Sequence, residues 1–350
     1  MEINPYGYTQ DTFEYLMKIS ENKLRHQIFN QKSNNLPTKF NISTYNIWGV
    51  NHFNFSFLEM RLPYIIEIIK NSGSDIFCLQ EVSQSVLDAF LQNQWIQNNY
   101  EFSEKIINWS ERANVICLTL TKYKPLRVAI YLLTGGLFSS DIICTEFNDR
   151  IIINTSLHPG CKFSPGISDS SNYAKCRIEQ IKIIHNLINL INPFKKTMYL
   201  CGDFNIDFNG NLSDWPELDS IKNLNFVDTW EILKPTEKGY TEDTIVNEMR
   251  WNTKQIEKQV RYDAILYTPN QFTQPLNIEI FGNTQICQLP FQQFADATKH
   301  LQLTIKKGFK VNGTMIFDEN QITNLNWYPS DHFGVTAQFQ QFDSTLVHSR

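Results

Sequence analysis

Four short segments end an apolar, strand-like run in side chains able to bind a cation or move a proton. They are ISTYNIWG with Asn46, DIFCLQEV with Glu81, MYLCGDFN with Asp203 and Asn205, and YPSDHFGV with Asp331 and His332. Carboxylates and amides are hard oxygen donors of the kind Mg²⁺ takes. A carboxylate can also accept a proton from water, and a histidine can carry positive charge toward a developing anion. Residues grouped at strand ends are held on a rigid scaffold. Each has a plainer reading when taken alone: Asn46 and GDFN as turns, Glu81 as a cap of the next helix, Asp331 as a helix or turn cap. Their joint occurrence favours chemistry.

The elements that must position them follow from periodicity. Alternating or continuous apolar runs predict strands at Phe40–Tyr45, Ile76–Leu79, Ala113–Leu120, Ala129–Leu133, Ile142–Phe147, Ile151–Ser156, Met198–Cys201, Tyr262–Tyr267 and Val335–Phe339. Helices are predicted at Pro63–Lys70, Val86–Gln97 and Tyr173–Ile191, the last with Ile178, Ile181, Ile184, His185 and Ile188 on one apolar face. There are too few helices for each strand to carry a crossover, and no glycine-rich phosphate loop, which argues against a doubly wound nucleotide-binding fold. Two packed sheets with helices outside are expected instead. Residues 1–39 read as an amphipathic helix, through Phe13, Leu16, Met17, Leu24 and Ile28, followed by a polar linker. Residues 40–345 read as the catalytic domain, and 270–327, rich in Gln and Asn, as an irregular insertion before the last strand.

Among 350 residues, 42% are hydrophobic, with 25 Phe, 14 Tyr and 7 Trp, which excludes a largely disordered chain. The net charge of −5 provides no global positive field to gather polyanions, so any nucleic-acid contact needs a local patch. The N-terminal stretch lacks the pattern of a secretion signal, and no run approaches the ~18 apolar residues of a membrane span. Seven cysteines without CxxC spacing read as reduced thiols, four of them (Cys78, Cys117, Cys144, Cys201) within apolar runs. A soluble, intracellular protein, cytoplasmic or nuclear and monomeric, is the expectation.

The ordered series TYNIWG, LQEV, GDFN, RYDAILY and SDHFG, spread over Phe40–Phe342, resembles that of the endonuclease/exonuclease/phosphatase superfamily. The resemblance implies an α/β (α+β) four-layer sandwich of two mixed β-sheets flanked by helices, DNase-I-like, with the site at one edge of both sheets. It implies Glu81 as the main ligand of Mg²⁺, with Mn²⁺ as a substitute, and Asn46 and Asp331 close by. Asp203 would orient and deprotonate the attacking water, Asn205 would hold that water or a phosphate oxygen, and His332, backed by Asp263, would contact the phosphate. Attack on phosphorus would be in line, without a covalent enzyme intermediate.

One position departs from the pattern. Where the superfamily has a strand-end histidine this chain has Ser156, in Asn154-Thr155-Ser156-Leu157-His158. Strand alternation would put Ser156 and His158 on one face, so His158 either reaches the phosphate or is a surface or turn histidine.

Within the superfamily the chain resembles the tyrosyl-DNA phosphodiesterase 2 branch through FVDTWEILKP, GYTEDT, RYDAILY and CRIEQIKII. These motifs carry Asp228, Trp230, Tyr240, Thr241, Asp243, Thr244, Arg177 and Gln180, all of which could equally pack and cap. This implies a nucleic acid with a modified 5′ end as substrate and no membrane partner. Two departures bear on it: Glu242 stands where that branch has an aromatic residue, and Asp207 where it has a basic one. Both remove groups suited to stacking on, or neutralising, a nucleic-acid strand. Trp251, with Arg250 and Lys254 nearby, is the candidate replacement. Arg261 shares a strand face with Asp263 and either contacts phosphate or forms an ion pair. Other activities of the same fold remain as alternatives: a general DNA nuclease, an RNA nuclease, or a lipid or inositol phosphoesterase. A binding module without hydrolysis would have no need of this many carboxylates crowded together.

Overall fold

The computed structural model describes residues 25–28, 36–49, 56–107, 114–133, 140–160, 171–192, 196–254, 256–298 and 308–342. Its strands run β1 (Arg25–Ile28), β2 (Lys39–Asn46), β3 (Ile76–Val82), β4 (Glu101–Phe102), β5 (Ile116–Thr121), β6 (Arg127–Leu133), β7 (Ser140–Glu146), β8 (Arg150–Ser156), β9 (Thr197–Asp203) and β10 (Val227–Asp228). They continue as β11 (Glu242–Asp243), β12 (Gln259–Val260), β13 (Asp263–Tyr267), β14 (Thr273–Phe281), β15 (Cys287–Pro290), β16 (Phe309–Val311), β17 (Thr314–Ile316), β18 (Asn324–Trp327) and β19 (Gly334–Gln341). The helices are α1 (Leu58–Asn71), α2 (Gln84–Gln92), α3 (Gln94–Asn99), α4 (Ser171–Ile191), α5 (Glu217–Lys222), α6 (Thr229–Leu233), α7 (Glu248–Lys254) and α8 (Phe291–Thr298).

Two mixed sheets form the body, one in the order β1-β6-β7-β8-β9-β13-β10 and the other β14-β19-β2-β3-β5-β4. Alternation of buried side chains explains why they stack. In β3, Ile76 and Cys78 join the core between the sheets while Phe77 and Leu79 face α1, α2 and α3. In β9, Tyr199 and Cys201 face the other sheet while Met198 and Leu200 face α4 and α5. A strand with both faces apolar must be covered on both sides, and the result is helix, sheet, sheet, helix. Inside the inter-sheet core, Phe40, Tyr199 and Phe339 form a cluster of rings with centroids 4.8–6.0 Å apart. Truncating such a ring to alanine costs about 3–5 kcal/mol.

The nine expected strands are all present within a few residues, and three other expectations need correction. Residues 270–327 are not wholly irregular. Thr273–Phe281 is an edge strand paired with β19, with Pro275 at its bulge, and its mixed exposure hid the two-residue period. Described residues of the rest of that stretch, Leu289, Phe294, Phe309, Leu325 and Trp327, share a small core with Met249 of α7 and Trp48. The expected helix Val86–Gln97 is broken, since the Asn93 side chain accepts from Ile96 N at 3.1 Å and starts α3 afresh. Of the expected N-terminal helix, Arg25–Ile28 is a strand antiparallel to β6, because its backbone completes the edge of that sheet; residues 1–24 lie outside the described residues. No helix among the described residues is long and apolar enough to cross a membrane.

Candidate active site

Asn46 ends β2, Glu81 lies in β3 and Asp203 ends β9, so the two sheets deliver their polar residues to one edge. The Asn46 amide nitrogen donates to Glu81 Oε1 at 3.2 Å and to Asp203 Oδ2 at 3.0 Å, and its oxygen accepts from Trp48 N at 3.0 Å. One buried amide therefore links both sheets. The backbone bends to allow it. Glu81 has φ 56° at an irregularity between Leu79 and Val82, and its carbonyl accepts from Gly49 N at 3.0 Å. A Cβ on Gly49 would lie 2.2 Å from that carbonyl oxygen, which is why glycine stands there. Gly202, before Asp203, has φ 155° and its Cβ would meet Thr155 O at 1.9 Å. Asn205, also at positive φ (52°), turns back so that its backbone N and its amide nitrogen donate to Asp203 Oδ1 and Oδ2 at 2.9 and 3.1 Å.

Asp263 opens β13 as the Cα partner of Asp203. Its Oδ2 is 2.8 Å from His332 Nδ1, and its backbone N donates to Thr241 Oγ1 at 3.1 Å. Asp331 and His332 stand on the turn between β18 and β19. Ser330 secures that turn, donating to the Asn46 carbonyl at 2.7 Å and accepting from His332 N at 3.2 Å. Burial opposes protonation of His332, but Asp263, Asp203 and Asp331 outweigh it and hold the imidazole well above the usual histidine range. Asp203 is pushed up to about 7, first by burial and then by the charge of Asp263, with His332, Asn46 and Asn205 opposing the rise.

A second group adjoins the first. Glu242, 1% exposed, takes ion pairs from both Arg250 and Lys258. Burial would raise its pKa, yet those two cations hold it well below the ordinary carboxylate range. Arg250 reaches on to Asp331 Oδ2 at 3.8 Å. Ligand-type atoms of Asp203, Asp263 and His332 lie within 4.8 Å of one another, as do those of Glu242, Asp331 and His332. The Glu242 group, with two cations on its carboxylate, is a poor cation site. Glu81 and Asp331 offer carboxylate oxygens instead, while the Asn46 oxygen is taken by Trp48 N and its amide nitrogen faces Glu81; Asp263 Oδ1, beside Asp203 and His332, is buried without a hydrogen-bond partner. A cluster of carboxylate oxygens fits a hard divalent cation, which when bound would supply charge neutralisation for phosphate oxygens.

Seven of the residues singled out from sequence meet here: Asn46, Glu81, Asp203, Asn205, Asp263, Asp331 and His332. Ser156 joins their margin as the Cα partner of Asp203 on β8. Tyr240, half buried, precedes the Thr241 that holds Asp263. Three residues do otherwise. The strand ends at Ser156, so alternation no longer orients His158. Its backbone N donates to Gln180 Oε1 at 2.9 Å, its carbonyl accepts from Arg177 at 3.1 Å, and its ring packs on Tyr173. Arg261 pairs through Nη2 with Asp228 Oδ2 at 2.7 Å, the ion-pair alternative, and lies over the Phe208 ring, with Nε and Nη1 buried and without hydrogen-bond partners. Trp251 is buried with its indole N–H on Gly308 O at 3.2 Å, so it presents no stacking face. Sequence reading missed Arg61, Ser330 and Lys258 as parts of the site, and named Arg250 only beside Trp251 as a replacement substrate contact. Only Arg61 carried a signal: it occupies a buried-stripe position of α1, with Leu58, Ile65 and Ile69.

Residues 43–274 match the sequence model of the Endonuclease/Exonuclease/phosphatase family. No curated protein matches the chain in sequence. Among solved structures, SmcL superposes with a TM-score of 0.62 at 16% identity, covering 87% of this chain and 100% of its own. D. rerio TDP2, complexed with single strand DNA product, gives 0.58 at 16% identity, covering 87% of this chain and 100% of its own. A Bacteroides thetaiotaomicron mannosyl-6-phosphatase gives 0.54 at 14% identity, covering 86% of this chain and 99% of its own. Identities this low show a shared fold and leave the substrate open. With a sequence match that runs from β2 into β14, the chain belongs to the endonuclease/exonuclease/phosphatase family, hydrolases of phosphate esters that generally depend on a divalent metal.

Proposed function

We propose that this chain is a Mg²⁺-dependent phosphodiesterase, with Mn²⁺ able to substitute, acting on a nucleic-acid end and specifically on 5′-tyrosyl-DNA phosphodiesters. The observation that carries the reading is the convergence of Asp203, Asn205, Asp263 and His332 at one sheet edge beside Asn46, Glu81 and Asp331. Asp203 accepts the proton of the attacking water, held in orientation by the amides of Asn46 and Asn205. His332, kept cationic by Asp263, donates to a phosphate oxygen as negative charge builds there. Glu81, Asn46 and Asp331 are the residues that would hold the cation. Ser156 and Tyr240 border the substrate, and the protein acts as an intracellular monomer.

The tyrosyl-DNA assignment is supported by the motif series around Asp228, Tyr240 and Asp263. A second reading, a phosphoesterase of the same fold with a different substrate, is favoured by the Glu242 group, an ionic cluster at the position where the resemblance implies an aromatic residue. One preparation assayed on a 5′-tyrosyl oligonucleotide, plain single- and double-stranded DNA, RNA, a phospholipid and a sugar phosphate decides between them. Preference for the tyrosyl substrate below ~10-fold, about 1.4 kcal/mol of discrimination, favours the second reading. Activity that survives a chelator defeats both.

A further inference from the structure

Arg61 lies in the first turns of α1, fully buried, and uses all three guanidinium nitrogens on backbone carbonyls. Nε donates to Ser56 O at 2.8 Å, Nη1 to Ile47 O at 3.0 Å and Pro329 O at 2.6 Å, and Nη2 to Trp48 O at 2.6 Å. The guanidinium also lies 4.9 Å from the Trp48 ring centre. Ile47 and Trp48 directly follow Asn46, and Pro329 directly precedes Ser330, Asp331 and His332. The two segments come from distant parts of the chain, and apart from Arg61 the Ser330 hydroxyl on the Asn46 carbonyl joins them.

We infer that Arg61 is a positioning residue that fixes the Asn46 segment against the Asp331–His332 turn. Resting on the proposed activity, this assigns to Arg61 the spacing between two groups of cation and phosphate contacts. A planar fork reaches several carbonyls in fixed directions, which a single ammonium cannot do. Burial lowers the guanidinium pKa to about 10, so the charge persists at neutral pH. Asp331 and Glu81 favour that charge from a distance, while every nitrogen stays on a carbonyl. The bonds are thus spent on loop geometry rather than on a single ion pair.

The test compares wild type with Arg61→Lys and, in case that chain fails to fold, with Ser330→Ala, which breaks the parallel link. With bis(p-nitrophenyl) phosphate and Mg²⁺, Arg61→Lys is expected to lower kcat about 30-fold with KM within about 3-fold, and Ser330→Ala to lower it about 5-fold. Mn²⁺ affinity, read by electron paramagnetic resonance, should weaken about 10-fold in Arg61→Lys. In an Asp331→Ala background, where the turn no longer offers a ligand, the same change should cost less than about 2-fold. Losses of affinity that multiply across the two changes, or a folded Arg61→Lys chain with unaltered kcat and affinity, overturn the inference. A wild type that binds Mn²⁺ but hydrolyses nothing defeats the proposed activity and leaves the affinity comparison to judge Arg61.

Discussion

Asp263 and Asp203 face each other across β13 and β9 as Cα partners, and the His332 ring closes on both carboxylates, with Nδ1 2.8 Å from Asp263. The pairing gives the two acids different surroundings, since the one bonded to the imidazole is not the one bonded to the Asn46 and Asn205 amides.

Asp263→Asn should therefore act through His332. The amide keeps the size of the side chain but cannot balance a cationic imidazole, so the phosphate loses its charged donor. The expected outcome is a fall in kcat of about 10²-fold with KM changed less than about 3-fold, measured on bis(p-nitrophenyl) phosphate. A fall confined to KM would separate His332 from the chemical step.

On the proposed mechanism, Asp203→Asn removes the proton acceptor itself and turns one of its oxygens into a donor facing the Asn46 and Asn205 amides. Turnover should drop by about 10³-fold at saturating substrate and Mg²⁺, read in the same assay. Retained turnover would reassign the base to another carboxylate.

Asn46, Glu81, Asp203, Asp331 and His332 were legible in the sequence because each follows an apolar run, a pattern set by local chain periodicity, while Asp263, which opens β13, was reached through the motif resemblance. What the sequence hid is set by partners far along the chain. Arg61 sits on the buried stripe of α1, but what it holds shows only when Pro329 arrives, 268 positions later. Glu242 reads as lost stacking capacity until Arg250 and Lys258 close over it. Trp251 and Arg261 have the composition of substrate contacts, but their partners Gly308 and Asp228 are visible only once the chain is folded. The strand Thr273–Phe281 was missed for the opposite reason: at a sheet edge it needs little apolar alternation, and β19 supplies its pairing.

Glu242 yields a stability prediction. Replacing it with Ala leaves Arg250 and Lys258, their side chains only 12% and 9% exposed, without the carboxylate that balances them. Breaking a buried pair from one side costs about 3–5 kcal/mol, and that loss should appear in urea unfolding at pH 7. A chain destabilised by under ~1 kcal/mol would mean that solvent reaches the two cations freely.

His158 sets a pH dependence away from the carboxylate cluster. Burial first, and Arg177 second, lower its pKa from 6.5 to about 4. The unfolded chain thus takes up a proton below pH 6.5 that the folded chain refuses until about pH 4. Stability must fall as the pH drops through that window and level off beneath it. At pH 4.5 the loss relative to pH 7 should be about 2–3 kcal/mol, and His158→Phe, which can keep the packing on Tyr173 without titrating, should lack that component in urea unfolding at the two pH values. The same variant should change kcat/KM on bis(p-nitrophenyl) phosphate by less than about 3-fold, because the ring packs on α4 and the backbone ties to Gln180 and Arg177 survive the substitution. A large kinetic loss without the change in pH dependence would return His158 to the phosphate.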